Sequence, residues 1–287
     1  MVLGAVQEPY WAALAHSYAA LGPPLKPSGN DLQFMEGAVA EWAARHPEEP
    51  VEAMLLGVTT AIALMRWPAR TRLLALDSSE AMIRAVWPGD VPGHRRAVRG
   101  NWLALPRQPE SCAVVIGDGS LNCVRYPGEL RALAAAVSNV LRDDGIFVLR
   151  CYVQRAVPER PQDVLDDLLH TSQPSFHHFK FRLLLAMQRS APEGTAVQNV
   201  YRFWTSQQVD VDALIARTGW DRAGIELMNI SRNQDTVHTF PSLPEWRAVL
   251  SEFFDEESLF TPPDPLGACC PTLVLRPRRG APRIAPS

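Results

Sequence analysis

Met54-Leu-Leu-Gly57-Val-Thr59-Thr60-Ala61, followed by Leu73-Leu-Ala-Leu-Asp77-Ser-Ser-Glu-Ala-Met82, decides how this chain is read. The first stretch has the form of a buried strand, a tight turn at Gly57 and a helix start. The second is another buried strand that ends in an acid. Asp77 follows Gly57 by 20 positions (77 − 57). A nucleotide-binding α/β unit uses that interval to set a carboxylate on the ribose hydroxyls. Glycine lets the backbone approach a ligand closely, and a carboxylate accepts two hydrogen bonds from a diol. The pair predicts an adenosine-containing cofactor.

The letters of the turn narrow the cofactor. A dinucleotide fold needs Gly-x-Gly-x-x-Gly, because the pyrophosphate lies against the backbone at a helix N-terminus. Here Thr59 and Ala61 stand where further glycines would be. A diphosphate has little room against the threonine, whereas a small, cationic, phosphate-free ligand such as S-adenosylmethionine (SAM) demands less of the turn. A nicotinamide oxidoreductase is the weaker alternative for the same reason.

Outward from this unit, strands and helices alternate. Strands are expected at 53–57, 72–77, 95–99, 112–117 and 145–152, and helices near 60–66, 79–87 and 128–142. That alternation predicts a parallel sheet with helices on both faces. Ahead of it, residues 8–20 and 31–45 have helical periodicity. The link between them, Leu21 to Asp31, is turn-rich and carries Lys26. Behind it, 158–189 and 206–218 read as helical, 243–254 as helical, and 224–232 and 270–276 as late strands. The boundaries are a helical cap at 1–48, a core at 49–153, lid segments and late strands at 154–276 within the same domain, and a disordered basic, Pro-rich tail at 277–287.

Composition excludes several classes. With 28 basic against 31 acidic residues and a net charge of −3, the 287-residue chain has no global pull toward nucleic acid or an anionic membrane. No apolar run reaches the roughly 18–20 residues that span a bilayer. Five scattered cysteines and no metal-type spacing read as reduced residues of a cytoplasmic protein without a metal site.

Five stretches in order resemble class I SAM-dependent methyltransferases. They are Leu55–Ala61, a degenerate form of that family's glycine turn; Leu76–Met82; Arg99-Gly-Asn101-Trp102-Leu-Ala-Leu-Pro106; Ala113-Val-Val-Ile-Gly117-Asp118-Gly119-Ser120-Leu121; and Val140–Leu149. The resemblance implies a three-layer Rossmann-like α/β fold, mostly parallel, with Thr272–Leu275 as one late antiparallel strand. It also implies SAM as cofactor and S-adenosylhomocysteine as product. Gly57, Val58, Thr59 and Thr60 would form the turn against the cofactor. Asp77 and Ser78 would meet the ribose, and Met82, Asn101 and Trp102 the adenine. Asp118, Gly119 and Ser120 would meet the methionine end, with Lys26 reaching its carboxylate.

Methyl transfer from a sulfonium needs in-line positioning and exclusion of water more than covalent help. A base is needed only for a protonated acceptor. Asp118, His177 and His178 are the leading candidates, with His16 a further one. Aromatic residues of the second half (Phe176, Phe179, Phe181, Tyr201, Phe203, Trp204 and Phe240) predict a small-molecule acceptor in an apolar lid. A non-catalytic SAM-binding sensor or partner subunit is the alternative that the degenerate turn leaves open.

Overall fold

The computed structural model describes residues 3–105, 108, 110–170 and 173–278, with only the backbone for 3–7. Helices α1 (Leu3–Ser17) and α2 (Gly29–Arg45) precede the sheet. The core then runs β1 (Val51–Leu56), α3 (Thr60–Ala63), β2 (Thr71–Asp77), α4 (Glu80–Val86), β3 (Arg95–Arg99), β4 (Cys112–Asp118), α5 (Gly128–Val140) and β5 (Leu141–Arg150). The second half adds α6 (Pro161–His170), α7 (Phe176–Ala186), β6 (Thr195–Ala196), α8 (Val197–Ser206), α9 (Val211–Thr218), α10 (Arg222–Glu226) and β7 (Val237–His238). It closes with α11 (Leu243–Leu250), β8 (Phe254–Phe260) and β9 (Thr272–Pro277).

Seven strands form one sheet in the order β3-β2-β1-β4-β5-β9-β8. β1 to β5 pair in parallel, and β9 lies antiparallel to both β5 and β8. The expected reversed strand at Thr272–Leu275 is therefore in place. Alternate residues of each central strand enter separate cores, as the two-residue period requires. Met54, Leu56, Val115 and Phe147 pack under α5 and α11. Ala53, Leu55, Val114 and Ile146 pack under α2, α3 and α4. The result is three layers. A third cluster belongs to the second half and α1, with Tyr10, Leu165, Phe179, Phe181 and Trp204 at its centre.

Local chemistry fixes the helices that matter for the site. Ser28 and Asp31 form a reciprocal capping box that starts α2. Met35, Val39 and Trp42 then line one face at helical spacing, and the Trp42 indole N–H donates to the Asp144 carbonyl at 2.8 Å. Ser79 caps α4 by accepting from the Met82 N–H.

Three expectations are corrected. Residues 224–232 are not a strand: they continue α10 into a 3₁₀ turn at Leu227–Ser231. Ile225, Leu227 and Met228 are buried there, a spacing that fits a helix as well as a strand, and Asp221 caps the start. The sixth strand of the sheet is instead β8. Its sequence, Phe-Asp-Glu-Glu-Ser-Leu-Phe, lacks apolar alternation because it is an edge strand with four exposed residues in succession. The helix expected at 243–254 stops at Leu250 to make way for it. β9 extends through Pro277, and the next residue, Arg278, pairs with Asp255, so the expected tail begins inside ordered structure. Its remainder, 279–287, lies outside the described residues, as does Pro106. Among the described residues no helix is long and apolar enough to cross a membrane.

Candidate functional site

A cleft of about 1530 Å³, counting its open mouth, lies at the carboxyl ends of β1, β2 and β4. This is where open α/β sheets take ligands. Its far side is built from α1, α7, α8 and the loops around His238.

The sheet side follows from the glycine turn. Gly57 leaves β1 with φ +109°, and its N–H donates to the Leu76 carbonyl at 2.8 Å. The Trp102 indole N–H donates to the same carbonyl at 2.7 Å. One oxygen thus ties the β1 turn, the end of β2 and the loop after β3 together. A Cβ at position 57 would come within 3.9 Å of the Trp102 ring and 4.0 Å of Asp77 Oδ2. Gly57→Ala should therefore cost about 1–3 kcal/mol through its backbone conformation rather than through a clash. Urea unfolding of the variant checks this. A loss under about 0.5 kcal/mol would mean that the turn relaxes.

Asp77 Oδ1 accepts from the Ser79 N–H at 2.9 Å. Burial pushes its carboxyl up to about 6; the Ser79 N–H opposes the shift and the Glu8 charge adds to it. No cation contributes to that balance among the described residues. A partly buried carboxylate of this kind needs donors, and a ribose diol supplies two. Ser120 Oγ, buried in the cleft wall, has no hydrogen-bond partner among the described residues. Both observations fit a cofactor with a diol at one end and polar groups at the other. Val58, Thr59, Ser78, Met82, Asn101, Trp102 and Gly119 line the same cleft.

Several predicted residues are placed otherwise. Thr60 turns away, its hydroxyl donating to the Val86 carbonyl. Asn101 Oδ1 already accepts from the Leu103 N–H at 3.0 Å, a local turn bond that competes with the adenine role. Lys26 Nζ sits 4.1 Å above the Tyr18 ring, outside the cleft lining. Of the possible bases, His16 is exposed and bonds Ala12 of its own helix. His177 packs against Gly22 and Gly224. His178 Nε2 lies 2.9 Å from Asp264 Oδ2, and its Nδ1 is 2.8 Å from Ser175 Oγ. None of the three histidines lines the cleft. The aromatic set divides too. Phe181 and Phe240 face the cleft, while Phe176, Phe179 and Trp204 pack on one another in the third core.

Asp118 differs most from its expected role. It lines the cleft, but its carboxylate accepts from Arg150 Nη1 at 2.8 Å across the β4–β5 pair. Arg150 is 1% exposed and also donates to the Pro24 carbonyl at 2.7 Å. Its Nε lies 3.5 Å from Asp31 of the α2 cap. One guanidinium thus holds two buried carboxylates and the link that closes the cap over the sheet. The sequence carries a signal for it, an arginine ending an otherwise apolar strand, Ile146-Phe-Val-Leu-Arg150.

Among the cleft residues that were not foreseen are Lys180 and His238. Burial lowers the His238 imidazole to about 4, and the Lys180 charge pushes the same way, so the ring is neutral at pH 7. Burial lowers the Lys180 ammonium to about 8. Among the described residues no group of three or more His, Cys, Asp or Glu is placed to hold a metal ion.

No protein-family model matches the chain, and no curated protein matches it either. Solved structures do. One from Rhodobacter sphaeroides, named as a Zn-dependent alcohol dehydrogenase, is 12% identical, with 95% of this chain and 99% of that one covered and a TM-score of 0.55. The CurJ carbon methyltransferase is 13% identical over 86% of this chain and 54% of that one, at a TM-score of 0.49. A SAM-dependent methyltransferase from Methanosarcina mazei is 12% identical over 82% and 96%, at 0.47. Identities this low say nothing of function, and the fold is read from the strand order. Seven strands run β3-β2-β1-β4-β5-β9-β8 with only β9 reversed, and the chain has the fold of the class I SAM-dependent methyltransferases.

Proposed function

We propose that this protein transfers a methyl group from SAM to a small-molecule acceptor. One observation carries the reading. Gly57, Asp77 and Trp102 come together in a cleft that is also lined by apolar residues of α1 and α7. When bound, the sulfonium supplies an activated methyl group. The protein's part is to orient and enclose. Asp77 receives the ribose hydroxyls, Gly57 lets the backbone approach, and Trp102 and Met82 flank the adenine. Ser120 offers its unused hydroxyl to the methionine end, and Tyr10, Trp11 and Leu14 of α1 close the chamber against water. His238, neutral at the cleft wall, offers a base to a protonated acceptor, though a weak one because burial and the Lys180 charge disfavour its protonated form.

The balance of 28 basic and 31 acidic residues favours a small acceptor over nucleic acid. Calorimetry with SAM and S-adenosylhomocysteine tests the cofactor, and RNA and DNA polarisation at low and moderate salt tests the acceptor class. No binding of either cofactor form at high micromolar concentration ends the reading. Sub-micromolar, salt-sensitive nucleic-acid binding would move the acceptor to a polymer.

The raised Asp77 carboxyl makes a pH prediction. Ligand hydroxyls need the ionised form, which is complete well above pH 6 and lost below it. S-adenosylhomocysteine affinity should be flat from about pH 7 upward and fall about tenfold per unit below 6. Asp77's own share of stability runs the other way. Its folded pKa of about 6 exceeds the ordinary 3.8, so the folded state holds the extra proton between those values. That share is complete below 3.8 and declines as pH rises through 6. Titrations at pH 5.0, 6.0 and 7.5, with melting curves alongside, separate the two. Equal affinity at all three would place the ribose elsewhere.

A further inference from the structure

We propose that the chamber takes an apolar acceptor bearing one anionic group, a carboxylate or a phenolate, held by Lys180 and Ser231. The inference rests on the methyl-transfer reading of the same cleft and adds the chemical class of the acceptor.

Lys180 stands on α7 and is 5% exposed. Its ammonium carries three donors, and the one partner seen is the Leu227 carbonyl at 3.1 Å. It joins no ion pair among the described residues. A buried ammonium without a counter-charge is costly unless something completes it. Ser231, 1% exposed, ends the 3₁₀ turn that Leu227 begins. Ser231 lines the cleft too, and its buried hydroxyl has no hydrogen-bond partner among the described residues. One short turn thus supports both the ammonium and an unused hydroxyl, in a cleft whose lining also holds Tyr10, Leu14, Phe181, Leu184, Val197 and Val200.

The other ionisable groups of the cleft leave that positive spot uncompensated. His238 is set edge-on to Tyr10 and Trp11, with ring centroids 5.9 and 6.2 Å away, and is kept neutral. Asp118 is taken by Arg150. Asp77 stands at the Gly57 turn, where the ribose reading places it. A neutral acceptor would leave the ammonium and the hydroxyl half satisfied, and a cationic one would meet repulsion. An anion on an apolar body satisfies both groups and fills the wall.

The test pairs 2-naphthoate and 4-phenylbutyrate with their primary amides, titrated into the full chain with and without S-adenosylhomocysteine. Each acid should bind about tenfold more tightly than its amide, the effect of one charge-assisted hydrogen bond. K180M should erase that preference, and S231A should weaken acid binding a few-fold. Amides binding as well as acids, a preference that survives in K180M, or acids that fail to bind at millimolar concentration would each overturn the proposal. A second measurement needs no ligand. K180M removes a buried charge at nearly constant length, so its melting temperature should equal or exceed that of the parent. A fall of more than about 5 °C would make Lys180 a structural prop and overturn the anchor. S-adenosylhomocysteine titration keeps the two readings apart. Cofactor binding without acid preference removes the anion anchor alone. Acid preference without cofactor binding removes methyl transfer and leaves the anion site.

Discussion

Arg150→Met should be the most damaging single substitution at the site, lowering stability by about 3–5 kcal/mol. The guanidinium is the shared partner of Asp118 and Asp31, both held in the interior where Pro24 and the α2 cap close over the sheet. Methionine fills a similar volume but leaves two carboxylates without a cation. Asp118→Asn should cost less, because Arg150 keeps Asp31 and asparagine can still accept a hydrogen bond. Urea unfolding followed by circular dichroism checks both. A loss below about 1 kcal/mol for Arg150→Met would show that water enters and replaces the ion pairs. The cap should feel the change as well as the sheet, so protease cleavage in the 18–28 link should become faster.

Asp77→Ala should cost about 1.5–3 kcal/mol of cofactor binding, roughly tenfold to more than a hundredfold in dissociation constant. The carboxylate is drawn up to about 6 by burial and has no cation to relax it among the described residues, so the diol is its natural complement. The fold should tolerate the change, since the bond lost is local, Ser79 N–H to Asp77 Oδ1, and a buried charge goes with it. Calorimetry with S-adenosylhomocysteine reads the effect, with a melting curve to show that the variant is folded. An unchanged dissociation constant in a folded variant would defeat the ribose assignment.

The sheet side of the cleft was legible because its signals are local. A glycine with positive φ, an acid at the end of the next strand and a tryptophan after the third lie within 46 residues of one another (102 − 57 + 1), and chain order alone sets them at one sheet edge. The core strands were legible for a similar reason, since strands buried on both faces read as apolar runs. The chamber was not. Lys180 and His238 are 58 positions apart (238 − 180) and meet only through the packing of α7 against the loops of the second half. Lys180 lies in Phe-His-His-Phe-Lys-Phe, where the two histidines are the expected bases and the lysine carries no signal of its own. In fact His178 is held by Asp264, His177 by backbone neighbours, and the lysine points inward. β8 escaped notice because an edge strand needs no apolar alternation, and its acids resemble those of an exposed helix or loop.

Those same acids have a consequence for how copies of the chain behave together. β8 is the last strand on its side of the sheet, and an open edge is a template for pairing with a second molecule. Asp255, Glu256 and Glu257 follow one another along it, each bridged to an arginine: Arg278, Arg247 and Arg276. As stabilising contacts such surface bridges contribute little. As a hem of charge they make edge-to-edge growth unfavourable, because an incoming strand would have to displace the pairs or bury them. Replacing the three acids with threonine would keep strand propensity and strip the charge, turning a sealed border into an adhesive one.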